Sequence, residues 1–305
     1  MLMQRTGLII GLVFCLISAA FDVYVALVTQ SISTLNVIFY CFTTSACVFG
    51  VWAVYRNPNS LWSKLRTQWR LIVIINLAVL CNWGGLFYAL RYLEPAVVGV
   101  ASVACGPALT LIVSLLTNRS VKVAVVDAVV SWLVLISVAI MLFNSLAGDS
   151  GVVTTTAVQR VLGIVSVLTC ALGTVMYTVF SKEMFARQWS VYEILGVRNI
   201  AMVGVCAVAI PATGGSFLLD SGWVLPMAIL VIAGHLLPIY LIQKTIYYLT
   251  PIHVSLVLLT LPVFVFLFQY LDSRVEFSVA SLSAVTVIIF LLSFRSLHAL
   301  KREIV

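Results

Sequence analysis

The chain has 305 residues, 63% of them hydrophobic and only 9% charged, with a net charge of +7 and a mean hydropathy of +1.17. A soluble domain carries about 25% charged residues, and no soluble fold of this length can hide so much apolar surface. The composition therefore excludes a soluble domain and defines an all-α integral membrane protein.

A membrane helix needs roughly 20 apolar residues. Ten such spans are predicted in chain order, at about 7–29, 33–55, 70–91, 95–117, 122–143, 158–181, 190–212, 223–247, 251–271 and 276–297. The connections are short except for 55–70 and the Gly/Ser/Thr-rich 144–160, so function has to be built from helices and these loops. If the N-terminus is cytoplasmic, 13 of the 17 Lys and Arg residues fall inside, among them Arg5, Arg56, Lys64, Arg66, Arg70, Arg119, Lys122, Lys182, Arg187 and Lys244. Arg91, Arg160 and Arg274 fall outside, and Arg198 lies within a span. That asymmetry predicts cytoplasmic termini at both ends. It also reads the positive charge as a topology signal, with no nucleic-acid partner. The basic tail 294–303 is expected to rest on the anionic inner leaflet. The seven cysteines all lie in apolar spans without a CxxC pair, which points to neither a metal site nor a disulfide frame.

Within the apolar run "YLEPAVVGVASVACGPALTLIV" (92–113), Pro95 and Pro107 stand twelve residues apart. A shift of 156 residues pairs Tyr92 with Tyr248, Leu93 with Leu249 and Pro95 with Pro251. After one deleted residue Pro107 meets Pro262. Ten spans thus read as two copies of five: a first repeat over 1–143, a linker over 144–157 and a second repeat over 158–305. Five is odd, so the second copy enters the membrane from the opposite face. This is the inverted-topology repeat common among secondary transporters. Pro95 and Pro251 sit at the first turn of a span, where proline costs no hydrogen bond. Pro107 and Pro262 sit near mid-span and are expected to kink the fourth and ninth spans. Each kink frees a carbonyl that must face protein or water, as a hinge or a cavity lining would.

"NWGGLFYALRYLEPAVVGVASVACGPALTLIVSLLTNRS" (82–120) resembles the third and fourth helices of EamA-type members of the drug/metabolite transporter superfamily. Ala89, Leu90 and the mid-helix Pro107 match that family's pattern, and Gly173 and Tyr177 in "ALGTVMYTVFSKE" match its sixth helix. The resemblance implies ten helices with cytoplasmic termini and a central cavity lined by spans 1–4 and 6–9, with spans 5 and 10 peripheral. One departure is that Asn118 and Asp272 stand where the family usually has glutamate.

Polar groups inside apolar spans are costly, so they are the candidates for function. Asp22 in "AAFDVYVAL" lies about two turns from the outer end of the first span, with Ser18 on the same face. An ionised carboxylate at mid-membrane costs roughly 2.5–3.5 kcal/mol. Asp22 therefore carries a proton, meets a substrate amine or reaches the outer headgroups. Arg198 lies about 12 Å into the seventh span at 1.5 Å per residue, where it either snorkels inward or binds a substrate carboxylate. In "GHLLPIYLIQKTIYYL", Tyr240, Lys244 and Tyr247 share a face, and His235 lies further out. Trp83 and Arg91 form a similar stripe in the third span, and Tyr88 is the repeat counterpart of Lys244. Such stripes serve packing, interface belts or a wall for a substrate. Asn36, Tyr40, Asn82, Tyr177 and Asn199 complete the candidate cavity lining.

HExxH, GxSxG, P-loop and GxGxxG motifs are absent, so no enzyme and no cofactor is expected, and transport would run on a proton gradient or on exchange. The sequence reads best as an inner-membrane secondary transporter exporting a small polar, amino-acid-like metabolite by alternating access about Pro107 and Pro262. An opine-type metallophore, an amino acid or a vitamin would fit. Uptake or exchange of a nucleotide-linked or phosphorylated metabolite is the alternative and needs Lys244, Arg91 and Arg198 to converge. A non-transporting scaffold would need an apolar centre. The expected partners are a small-molecule substrate and the bilayer, with homodimerisation left open.

Overall fold

A computed structural model describes residues 2–116, 125–148, 151–152, 155–249, 251–258, 260–272, 275–276 and 279–304. The chain is an all-α membrane protein. Among the described residues, seven helices are long and apolar enough to cross a bilayer, and Pro95–Cys105 and Leu282–Phe294 are shorter apolar stretches. The outer surface is correspondingly greasy: Trp132, Phe143 and Phe290 are each about two-thirds exposed, as lipid-facing side chains should be.

Helix α1 (Leu2–Ser31) turns over Ile32 and Ser33 into α2 (Thr34–Arg56). α2 stops where Pro58 begins α3 (Pro58–Thr67), with the Asn57 Oδ1 accepting from Ser60 N at 3.2 Å. This is a cap followed by proline at the first helical position. The segment 55–70, expected to be a connecting loop, is thus largely a short amphipathic helix with only Leu61 buried. α4 (Trp69–Tyr92) contains a π-helical turn at Leu80–Gly84. α5 (Pro95–Leu116) and α6 (Val125–Ala147) follow. Two short strands, β1 (Gly151–Val152) and β2 (Val275–Glu276), pair antiparallel.

α7 (Ala157–Ala186) and α8 (Val191–Ala212) each begin with a capping box, Thr156 with Gln159 and Ser190 with Glu193. α8 is interrupted at Arg198 and Asn199, between helical stretches Val191–Val197 and Ile200–Ala212. α9 (Ser221–Tyr248) carries a second π-helical segment at Leu230–Leu236. α10 (Pro251–Leu258), α11 (Leu261–Gln269) and α12 (Val279–Ile304) complete the chain. The two mid-span prolines behave differently. The helix is interrupted before Pro262, which opens α11, whereas the helical assignment of α5 runs on through Pro107. Arg119, Lys122, Asn118 and Arg274 lie outside the described residues.

The helices pair in an ordered way: α1 packs on α9 and α11, α7 on α4 and α5, α2 on α8, α5 on α11 and α6 on α12. Glycine permits the closest of these approaches. A Cβ at Gly85 would lie 2.5 Å from the Ser166 carbonyl, and one at Gly173 would collide with the backbone of Asn82. α4 and α7 therefore meet backbone to backbone, as small residues allow between membrane helices.

Candidate functional site

Where α8 breaks, two adjacent side chains enter the middle of the bundle. Arg198 and Asn199 are both 0% exposed, as are His235 and Gln243 from α9. Tyr177 of α7, also buried, links them. Its hydroxyl accepts from Arg198 Nη1 and donates to Gln243 Oε1. The guanidinium carbon also lies 4.7 Å from the Tyr177 ring centroid, a cation–π contact. Asn199 Nδ2 donates to Ser45 Oγ at 2.7 Å and to the Leu195 carbonyl at 3.1 Å, which ties the break to α2. His235 is walled by Phe42 and Trp83, with ring centroids 4.5 and 5.3 Å away.

The inventory of partners is uneven. Arg198 Nε and Nη2, Gln243 Nε2, Trp83 Nε1, Asn199 Oδ1 and both nitrogens of His235 are buried without a hydrogen bond. Such groups are rare inside proteins and cost about 1–3 kcal/mol each, more when charged. Five helices (α2, α4, α7, α8 and α9) contribute to this one cluster.

The remaining candidates fall elsewhere. Asp22 is 5% exposed and, among the described residues, has no hydrogen-bond or ion-pair partner. Asn82 Oδ1 accepts from Thr174 Oγ1 at 3.2 Å and from Cys170 Sγ at 3.5 Å, beside the cluster. Asn36 and Tyr40 hold the 213–220 connection: Asn36 Nδ2 donates to Ser216 O at 2.8 Å, and the Tyr40 hydroxyl donates to Phe217 O. Arg91 closes the same end of the bundle, with Nη1 3.0 Å from Thr34 Oγ1, and Tyr88 is half-buried one turn away. Tyr240 stacks on Phe49 and Tyr192, and the Lys244 ammonium sits 5.7 Å from the rings of Tyr240 and Tyr248. Tyr247 is 51% exposed, against Phe185. The structure thus gathers Trp83, Tyr177, Arg198, Asn199 and His235 at the centre and disperses Arg91, Lys244 and Tyr247.

Sequence reasoning passed over Gln243 and Ser45. Both are neutral polar residues in apolar spans, and an inventory extended from charges to neutral polar groups would have found them. Glu193 is 5% exposed and pairs with Lys64 at 2.9 Å. Trp189 Nε1 donates to Gln68 Oε1 at 2.9 Å, and Lys182 Nζ donates to the Ile246 and Leu249 carbonyls. These contacts close the end of the bundle opposite Arg91.

No family model and no curated protein matches the chain. A solved crystal structure of a protein superimposes with a TM-score of 0.62 over 96% of this chain and 97% of its own, at 18% identity. That likeness establishes a shared fold and nothing about chemistry. Fold and surface together define a multi-pass membrane protein.

Proposed function

We propose that the chain is a secondary transporter of the EamA type, ten spans in two inverted five-helix repeats, which exports a small polar metabolite across the inner membrane by alternating access. The observation that carries this reading is the sealed polar cluster around Arg198, lying between ends closed by separate sets of contacts. Polar and ionisable groups inside a membrane bundle are costly and mark functional sites, substrate pathways among them, so an arginine, a histidine and two amides gathered at the centre support a polar cargo.

Two further observations support the repeat. The helix contacts exchange under the swap of halves: α1 packs on α9 and α11 as α7 packs on α4 and α5, while α2, α5 and α6 each meet their own counterparts. α4 and α9, counterparts in this scheme, both carry a π-helical segment. The ties between segments also respect ten crossings. Arg91–Thr34, Asn36–Ser216, Gln269–Glu94 and β1–β2 join ends that ten crossings place outside. Lys64–Glu193 and Trp189–Gln68 join ends placed inside, where the basic residues put the cytoplasm.

The phosphorylated-metabolite alternative gains no support, because Arg91 and Lys244 stand apart from Arg198. The test compares polar metabolites in spent medium and cytosol between a deletion strain and an overexpressing strain. One solute, or a small related set, should move to the medium on overexpression. Accumulation in the cytosol would reverse the direction, and unchanged profiles would remove transport.

A further inference from the structure

We infer that the Nε/Nη2 edge of Arg198 binds a carboxylate of the transported molecule. This deepens the transport reading above and rests on it.

Nη1 is taken by Tyr177, so the two unpartnered guanidinium nitrogens are Nε and Nη2. Those two form one side of the planar fork, with parallel N–H bonds at the spacing of a carboxylate's two oxygens. Tyr177 does not neutralise the charge, since its own proton goes to Gln243 Oε1. Arg198 has no ion pair with an acidic side chain among the described residues, where Lys64–Glu193 and Arg187–Glu183 are the pairs found.

The rest of the cluster has the same bias. Arg198 Nε and Nη2, Gln243 Nε2 and Trp83 Nε1 are unpaired donors, against the unpaired acceptor Asn199 Oδ1, while the His235 imidazole and the Ser181 hydroxyl, one turn from Tyr177, can each donate and accept. A donor-rich cluster suits an acceptor-rich ligand. One fixed cation, with no second cationic side chain in the cluster among the described residues, suits a monoanion, so a carboxylate fits better than a phosphate dianion. The rings of Phe42, Trp83 and His235, inclined at 54–79° to one another, supply an aromatic corner for the body of the molecule, and Asn199 Oδ1 can accept one donor from it. Because the donors are sealed in this closed conformation, the ligand reaches them only when one end of the bundle opens.

The test uses three probes on the purified full-length protein at matched ionic strength: benzoate, its neutral isostere benzamide, and phenyl phosphate. Benzoate should raise the thermal unfolding midpoint, phenyl phosphate less so, and benzamide not at all. Arg198→Gln should weaken the benzoate response roughly 10- to 100-fold, the value of a charge-assisted hydrogen-bond pair. Arg198→Lys should keep part of it. An equal response to benzoate and benzamide, nil included, overturns the carboxylate assignment, and so does a full benzoate response in Arg198→Gln. The probe comparison on wild-type protein stands even if Arg198→Gln fails to fold. The metabolite comparison separates the two ideas. If overexpression redistributes only compounds without an acidic group, the carboxylate assignment falls and transport survives. If it redistributes nothing while benzoate still binds through Arg198, transport falls and the anion site survives.

Discussion

Two buried polar groups flank the same helix break and were built to opposite rules. Asn76 of α4 reaches the interruption in α8 and satisfies it: its Nδ2 donates to the Val197 carbonyl at 2.9 Å and to Ile72 O at 2.8 Å, and its Oδ1 accepts from Ala201 N at 2.9 Å. Arg198, within the interruption itself, leaves two donors unpaired. Backbone freed inside a membrane must find a partner, and Asn76 supplies it. The break therefore costs little, while its purpose, turning Arg198 and Asn199 into the bundle, is retained. On the proposal made above, the satisfied amide serves the fold and the unsatisfied guanidinium serves a ligand.

The largest effects should come from the two members of this pair, and they should differ in kind. Asn76→Ala orphans a carbonyl and an amide and is expected to cost about 2–4 kcal/mol, read as a clear drop in the unfolding midpoint and in the yield of folded protein. Arg198→Met removes a buried charge and fills much of the same volume. Such replacements are often neutral or stabilising, so the midpoint should hold or rise while transport is lost. If Arg198→Met unfolds the protein as badly as Asn76→Ala does, the distinction between fold and ligand is broken.

Much of this was legible beforehand, and the parts that were not have physical reasons. Apolar run length placed the third span at 70–91, where α4 is Trp69–Tyr92, because a bilayer demands continuous hydrophobicity whatever the packing. The prolines at 95 and 251 open helices as expected. The interruption at Arg198–Asn199 carries no proline and was invisible, since a tertiary partner, Asn76, makes it tolerable. The π-helical segments are likewise set by contact between helices, with Gly85 and Gly173 marking where α4 meets α7. At the site, rarity of charge singled out Arg198 and His235. Helical spacing alone favoured the Tyr240–Lys244–Tyr247 stripe over Gln243, because both faces of α9 carry polar groups and only packing decides which turns inward.

A middle-sized effect should follow from loosening the end of the bundle closed by Lys64 and Glu193. Lys64 binds Glu193 and the Gln188 carbonyl, at 2.9 and 2.8 Å, with side-chain exposures of 15% and 7% for the ion pair. Lys64→Ala leaves a largely buried carboxylate short of a partner and is expected to cost about 1–3 kcal/mol, less than a fully buried pair would. Amide hydrogen exchange should quicken in α3 and at 187–193 and stay unchanged at the Asn36–Ser216 contact. Quickening at both ends would mean the two closures are one cooperative unit. Asp22→Asn tests the unpaired acid near the opposite end: stability should be unchanged or improved, and the pH dependence of transport should flatten. Full pH dependence in that variant would remove Asp22 from coupling.

The smallest effect separates two tyrosines that the sequence placed on one face. Tyr240 stacks on Phe49, with ring centroids 6.4 Å apart, and on Tyr192 at 5.9 Å. Tyr247 is 51% exposed and touches Phe185 and Tyr248 edge-on. Aromatic pairs are worth about 0.5–1.5 kcal/mol beyond their buried area, so Tyr240→Ala should lower the unfolding midpoint measurably. Tyr247→Ala should fall within about 0.5 kcal/mol of wild type, as exposed positions do, and should leave transport untouched. An aromatic belt residue needs only to sit at the membrane–water interface, a role that no single ring fills alone. If Tyr247→Ala abolished transport, the C-terminal end of α9 would have to rotate in another conformation to bring Tyr247 into the bundle. The cargo would then pass along the tyrosine stripe as well as across Arg198.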